Sequence, residues 1–280
     1  MTDARLRHEC LAEIIGTYVL VFVGVGSVHA AVLTGALSGI WQVAVVWGVA
    51  VALAIYATSA LSGTHINPAI TVAMTAFRGF PPRKAPWYIA SQLVGAFLAA
   101  ATLYALFSGT LMHFESVAGI VRGRGGSELS GMVYGEYFPN PATAGALHWT
   151  QDSVSLLQAM LAEGIGTAFL AFFVFAVTEV CNAGGLASKL QALFIGLAVS
   201  LVISVVAPLT QAGLNPMRDF APRIVAYFAG WGSIAIPGPR GIDIWIYLLA
   251  PLIGGPVGAA IHQALRGGSV AVEEEFEVAA

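Results

Sequence analysis

Gly213-Leu214-Asn215-Pro216-Met217-Arg218-Asp219-Phe220 sets an arginine and an aspartate into sequence that is otherwise almost entirely apolar. A second Asn-Pro pair stands in the first half, inside Gly63-Thr64-His65-Ile66-Asn67-Pro68-Ala69. Each pair reads as a helix start. Asparagine is among the strongest N-caps, because its side-chain oxygen takes an orphan backbone N–H. Proline suits the next position, where no N–H is needed and its fixed φ is already helical. The apolar segments that follow, about 68–78 and 216–228, reach about 16–20 Å at helical rise. That is too short for a hydrocarbon core of about 30 Å. Such segments can enter a membrane halfway and turn back, if the non-helical backbone beside them is buried or lines a water-filled cavity.

The composition demands a membrane. Of 280 residues, 58% are hydrophobic and 10% charged, and the net charge is -3; mean hydropathy is +0.81. Soluble domains carry roughly 25% charged residues, so this chain cannot cover a soluble surface. No basic patch suggests nucleic acid. The acids Glu273, Glu274 and Glu275 read as a solvated end. Cys10 and Cys181 do not make a disulfide framework. The six histidines show no metal-ligand spacing, and no cofactor motif is present; the glycines of Gly123-Arg124-Gly125-Gly126 lack the following Lys-Ser/Thr of a phosphate loop.

Apolar runs of spanning length fall at about 11–33, 41–61, 86–107, 154–178, 189–209 and 242–265. The first exceeds a signal-peptide core and reads as a retained span. Leu11-Ala12-Glu13-Ile14-Ile15-Gly16-Thr17 returns as Leu161-Ala162-Glu163-Gly164-Ile165-Gly166-Thr167, and Asn67-Pro68 returns as Asn215-Pro216 at nearly the same offset. Each repeat therefore holds three spans and one half-helix. An odd number of spans forces the second copy in from the opposite side, and such inverted repeats place their site near the bilayer midplane. The fold expected is an all-α membrane protein of six spans and two re-entrant half-helices. Its parts are an N-terminal tail 1–10, a first repeat 11–107 with half-helix 68–78, a long loop 108–153, a second repeat 154–265 with half-helix 216–228, and a C-terminal tail 266–280. Lys and Arg concentrate on the side that holds both ends, which places both termini in the cytoplasm.

Two half-helices meeting from opposite faces put two positive dipole ends at the middle. Asn67 and Asn215 would offer N–H donors there. The lead-in segments Gly63, Thr64, His65, Ile66 and Gln211, Ala212, Gly213, Leu214 would offer a ladder of carbonyl acceptors facing apolar side chains. That suits a small, uncharged, hydrogen-bonding solute, and half-helix dipoles or an arginine are barriers to protons and cations. Arg218 in a membrane segment costs at least about 2.5–3.5 kcal/mol and is a functional candidate; the alternative is snorkelling to the interface. Asp219 either serves the pore or caps and pairs locally, with Arg223. Glu13 and Glu163 are either proton-relay groups or acceptors for the N–H groups of the two re-entrant loops, and their symmetry favours the latter. Trp47 is a packed aromatic, an interface anchor or a pore residue.

The motifs Ser62-Gly63-Thr64-His65-Ile66-Asn67-Pro68-Ala69 and Leu214-Asn215-Pro216-Met217-Arg218-Asp219-Phe220-Ala221-Pro222, with the paired Glu repeats, resemble those of the major intrinsic protein family, the aquaporins and glycerol facilitators. The resemblance covers about residues 8–266 and implies six spans, two half-helices, one pore per subunit and a homotetramer in the bilayer; an enzyme would need a nucleophile–base pair or metal ligands, and none is apparent in the sequence. Asp219, Arg223, Pro251-Leu252 and Tyr137-Phe138-Pro139-Asn140-Pro141 are similar to the glycerol-conducting branch. Trp47 matches its constriction tryptophan, and His65 matches a histidine beside the first motif.

Three positions depart from that branch. Met217 replaces alanine in the second Asn-Pro motif, and Ile203 and Ala212 stand where a glycerol facilitator has glycine and phenylalanine. The constriction set implied is Trp47, Ile203, Ala212 and Arg218. The expectation is a passive channel for glycerol, water and other small neutral solutes in a plasma membrane, the short tails favouring a bacterial inner membrane. The alternatives are a water-dominated or urea- or metalloid-conducting channel and, from another class, a non-conducting scaffold.

Overall fold

The computed structural model describes the backbone of residues 3–179 and 186–278 and the side chains of 4–179 and 189–266. Cys181 and the side chains of Glu273, Glu274 and Glu275 lie outside the described residues. The regular structure among them is helical: α1 (Asp3–Thr34), α2 (Ile40–Ser62), α3 (Pro68–Phe77), α4 (Ala85–Ala118), the short α5 (Glu128–Gly131) and α6 (Pro141–Leu147), then α7 (Leu156–Val177), α8 (Leu186–Thr210), α9 (Pro216–Ala226) and α10 (Asp243–Val278). Six of these, α1, α2, α4, α7, α8 and α10, contain stretches long and apolar enough to cross a membrane. The helices α3 and α9 have 10 and 11 residues, so each covers only about 15–17 Å.

Both half-helices start on their asparagines. Asn67 Oδ1 accepts the Ala69 N–H at 2.8 Å. Asn215 Oδ1 accepts the N–H groups of Met217 at 3.1 Å and Arg218 at 3.3 Å. Proline fills N1 in each. Met217 in the place of alanine leaves this cap intact.

The repeat extends to the helix crossings. The spacing from Asn67 to Asn215 also separates Gly48 from Gly196, and these two glycines face each other where α2 crosses α8. A Cβ on either would overlap the other's carbonyl oxygen. The pair Gly95 and Gly254 does the same work at the other crossings, Gly95 against the Ile14 carbonyl of α1 and Gly254 against the Gly164 carbonyl of α7. Inside a bilayer, where lipid is as apolar as leucine, such close backbone approach is a main source of helix affinity.

Several boundaries differ from the sequence expectation. The tail 1–10 is helical from Asp3, held by the Lys84 ammonium donating to both Glu9 carboxylate oxygens at 2.6 and 2.7 Å. The loop 108–153 begins eleven residues later than expected, because α4 runs on to Ala118. There Leu111 and Glu115 are buried, and Arg122 donates to both Glu115 oxygens at 2.9 Å; Gly119, at φ 65°, ends the helix. The second half-helix leaves α geometry after Ala226, at a wider turn over Tyr227–Trp231 broken by Gly230 at φ 111°, rather than at 228. The tail 266–280 continues α10 as helical backbone to Val278. Within the loop, residues 130–141 are all buried.

Candidate functional site

The lead-in segments adopt a backbone that side chains rarely take. Thr64, Ile66, Gln211, Ala212 and Leu214 have φ of 52, 43, 64, 61 and 54°, and Gly63 has φ 79°. Left-handed geometry costs roughly 1–2 kcal/mol per non-glycine residue and is rarest for β-branched residues such as Thr64 and Ile66. It persists because something over-determines it. Here that is one buried glutamate per repeat. Glu13 accepts the N–H groups of His65 at 2.9 Å and Ile66 at 2.7 Å, with Ser62 Oγ and Gln92 Nε2 completing its shell. Glu163 accepts the N–H groups of Gly213 at 3.0 Å and Leu214 at 2.7 Å, together with Thr210 Oγ1. Both carboxylates are wholly buried. The hydrogen bonds they accept come from a loop or its neighbours, and neither residue lines either of the two cavities along the solute path.

The two loops are tied to each other across the centre. Asn67 Nδ2 donates to the Leu214 carbonyl at 2.9 Å, and Asn215 Nδ2 donates to the Ile66 carbonyl at 2.8 Å. An amide nitrogen has two hydrogens, so each asparagine keeps one donor for the lumen. This corrects the expectation of a wholly free carbonyl ladder. Ile66 and Leu214 already serve as acceptors, and Ile66 lines neither cavity; its side chain packs on Gly16 as that of Leu214 packs on Gly166. Gly63, Thr64, His65, Ala212, Gly213 and Leu214 do line the lumen. Pro68, Ala69, Pro216 and Met217 do not; they belong to the helix starts, where Ala69 gives close passage to Gly255 of α10.

A cavity of about 380 Å³ runs from Lys189, Gln191 and Thr178 on the face carrying the termini, past Asn67 and Asn215, to Arg218. A second, of about 400 Å³, opens on the other face among Ser38, Phe114, Glu136 and Asn140. The residues common to both are Trp47, Ile203 and Arg218. Ala212 lines the first cavity and Gln211 the second. Three of the four residues of the expected constriction thus line both cavities, and Ala212 lines the first alone. The repeat maps Trp47, Ile203, Ala212 and Arg218 onto Ile195, Ile55, Thr64 and Ile70, all of which line the other half of the first cavity. The two ends of the path therefore differ chemically: three isoleucines on one side, an indole and a guanidinium on the other.

Arg218 is buried, with its guanidinium carbon 4.3 Å from the centroid of the Trp47 ring. Its Nη1 makes an ion pair with Glu136 Oε1. Beside it, Arg223 donates through Nε to both Asp219 oxygens at 2.8 and 2.9 Å, and through its terminal nitrogens to the carbonyls of Ala235 and Glu136. Asp219 Oδ1 in turn accepts the Glu136 N–H at 2.6 Å. The two arginines are balanced by two acids, so Arg218 is not an isolated charge, and the net positive ends at the middle are those of the half-helices. Asp219 takes the local pairing role with Arg223.

Glu136 escaped the sequence reading; Asn140, quoted there within the loop motif, donates through Nδ2 to the Ala207 carbonyl at 2.8 Å. Gln211 holds the same loop, accepting the Tyr137 N–H at 2.9 Å and donating to the Met132 carbonyl at 3.1 Å. An acid directly before the apolar Tyr137-Phe138-Pro139 run was the available signal, given that a membrane arginine needs a counter-charge. His65 lines the lumen with its Nδ1 3.2 Å from Thr71 Oγ1, packed edge-on against Phe80. Among the described residues no cluster of three or more His, Cys, Asp or Glu converges to hold a metal.

The family description Major intrinsic protein matches residues 1–262. The glycerol uptake facilitator protein of Pseudomonas aeruginosa is 40% identical over 261 residues, covering 93% of this chain and 89% of that one. That of Haemophilus influenzae is 38% identical, covering 96% and 97%. A propanediol uptake facilitator of Citrobacter freundii is 37% identical over 95% of this chain and 94% of its own. The X-ray structure of the aquaglyceroporin from Plasmodium falciparum matches with a TM-score of 0.78 at 25% identity, over 95% of this chain and 99% of that chain.

Proposed function

This chain belongs to the major intrinsic protein family, and from that premise we propose that it is a passive channel for glycerol and other small uncharged solutes, permeable to water and closed to protons and ions. The observation that carries the reading is the junction of two cavities at Trp47, Ile203 and Arg218. A polyol has a hydroxyl face and a carbon face. Arg218 offers donors to the first, and the indole of Trp47 and the Ile203 side chain offer apolar surface to the second. Thr64, Gly213 and the spare Asn67 and Asn215 hydrogens continue the polar wall inward. The half-helix ends oppose cations along the same path.

In this reading Trp47, Ile203, Ala212 and Arg218 form the selectivity constriction, and the asparagine motifs the central station. Glu13, Glu163 and Asp219 act as structural supports. The protein sits as a multi-pass protein in a bacterial inner membrane with both termini cytoplasmic, which the positive-inside distribution and its bacterial relatives support. It assembles as a homotetramer; apolar faces such as Val205 and Phe228, 76 and 80% exposed, are then covered by lipid or by neighbouring subunits. It carries no enzymatic role.

Stopped-flow light scattering on proteoliposomes tests this with a panel of water, glycerol and urea on wild type and Trp47→Ala. Glycerol flux above that of bare liposomes, with a glycerol-to-water ratio lowered by the substitution, is expected. Urea or water flux without glycerol flux would favour the second reading, a water-dominated or urea-conducting member, which Ile203 and the small Ala212 at the constriction suggest. No flux from folded protein would point to a non-conducting scaffold.

A further inference from the structure

We propose that Gly24, on α1 and outside both cavities, sets the solute specificity of the channel by positioning Trp47; the inference rests on the solute-channel reading. A Cβ built on Gly24 would overlap Cδ2, Cε3 and Cζ3 of the Trp47 ring, and those three atoms are its nearest neighbours. The ring occupies the volume a side chain would need.

Other uses of a glycine do not account for this one. Gly24 lies in mid-helix with no positive φ, so its backbone does not require glycine, and glycine there costs about 1 kcal/mol relative to alanine. The helix-crossing glycines Gly48, Gly95 and Gly254 would meet backbone carbonyls, whereas the three atoms nearest a Cβ on Gly24 all belong to the indole. The repeat supplies a control within the same molecule. Glu13 and Glu163 align α1 with α7, which sets Gly24 against Val174; Trp47 aligns with Ile195. Both Val174 and Ile195 line the first cavity. Where the wall carries an isoleucine the neighbouring helix carries a valine, and where it carries the indole the neighbouring helix carries no side chain. Gly24 and Trp47 are one steric unit.

The ring stands where the two cavities join and 4.3 Å from the Arg218 guanidinium carbon. An added methyl group displaces it relative to both the lumen and the arginine. A solute that fits closely between indole and guanidinium loses more than water does. One methylene in a close-fitting site changes discrimination by roughly tenfold or more, so Gly24→Ala should lower the glycerol-to-water permeability ratio by about tenfold.

The test is a four-variant cycle in proteoliposomes, normalised to folded protein: wild type, Gly24→Ala, Trp47→Ala and the double variant. The ratio is expected to fall in Gly24→Ala and to be the same in Trp47→Ala with or without the second change. An unchanged ratio in Gly24→Ala, or an equal change in both backgrounds, overturns the proposal. If Gly24→Ala alone does not fold, the substitution is made in Trp47→Phe and Trp47→Ala; a shift of ratio in the phenylalanine background alone supports the proposal, and equal behaviour in both overturns it. Absent glycerol flux in wild type would instead remove the channel reading itself, and this inference with it.

Discussion

Arg218 lies with its guanidinium carbon 4.3 Å from the centroid of the Trp47 ring, while its Nη1 pairs with Glu136. The arginine is therefore held from two sides, by an aromatic face from α2 and by a carboxylate from the loop between the repeats. A guanidinium over an aromatic face gains about 0.5–2 kcal/mol, more as water is excluded. The orientation of its remaining donors is fixed by groups that belong to different parts of the chain.

Removing the carboxylate tests that division of labour. Glu136→Gln leaves a buried arginine without its counter-charge, a change that costs about 3–5 kcal/mol in comparable buried pairs. Thermal unfolding in detergent should shift down accordingly. In the folded fraction, the untethered guanidinium should reduce both water and glycerol flux. Unchanged unfolding temperature and flux would show that Glu136 does not hold Arg218.

The two buried glutamates should behave as equivalents. Glu13→Ala strips acceptors from the His65 and Ile66 N–H groups, and Glu163→Ala strips them from Gly213 and Leu214. Each orphaned donor costs about 1–3 kcal/mol, so either substitution should destabilise by about 2–6 kcal/mol. Unfolding monitored by tryptophan fluorescence checks this; a variant that folds with wild-type stability but loses flux would instead indicate a direct role in conduction.

Much of this symmetry was legible in the sequence. The Asn-Pro pairs announced helix starts, their short apolar followers announced half-helices, and the recurrence of Leu-Ala-Glu announced an inverted repeat, because each rests on local backbone chemistry or on spacing. Ion-pair partners were less accessible. Glu136 and Arg218 are far apart along the chain and meet only once the loop is folded inward, so no local pattern couples them. The engagement of the Ile66 and Leu214 carbonyls depends on each asparagine reaching across to the opposite repeat. The ends of α1 and α4 were misjudged for a different reason: hydropathy marks where lipid contact stops, whereas the Glu9–Lys84 and Glu115–Arg122 pairs carry the helices beyond it.

Asn215→Asp separates capping from donation. The substituted side chain keeps an oxygen for the Met217 and Arg218 N–H groups, but it loses the Nδ2 donor to Ile66 and adds negative charge at mid-membrane. The barrier to cations should weaken, and a pH-sensitive dye trapped in proteoliposomes should report proton entry absent from wild type. A proton-tight Asn215→Asp channel would mean that the barrier lies elsewhere, at Arg218.

The Asp219–Arg223 pair is wholly buried and binds the Glu136 backbone from both sides. Removing one partner should cost about 3–5 kcal/mol, while replacing both by apolar groups of similar volume should cost less. Thermal melts of Asp219→Leu, Arg223→Met and the double variant measure this. A double variant as unstable as the sum of the two singles would show that each residue acts independently of the pair.

The most direct measurement is glycerol entry into proteoliposomes of the wild-type protein under an osmotic gradient, with internal pH recorded at the same time under an imposed proton gradient. The account predicts glycerol entry well above that of bare liposomes with no added proton leak. Glycerol entry no faster than in bare liposomes, from protein shown to be folded, would contradict it.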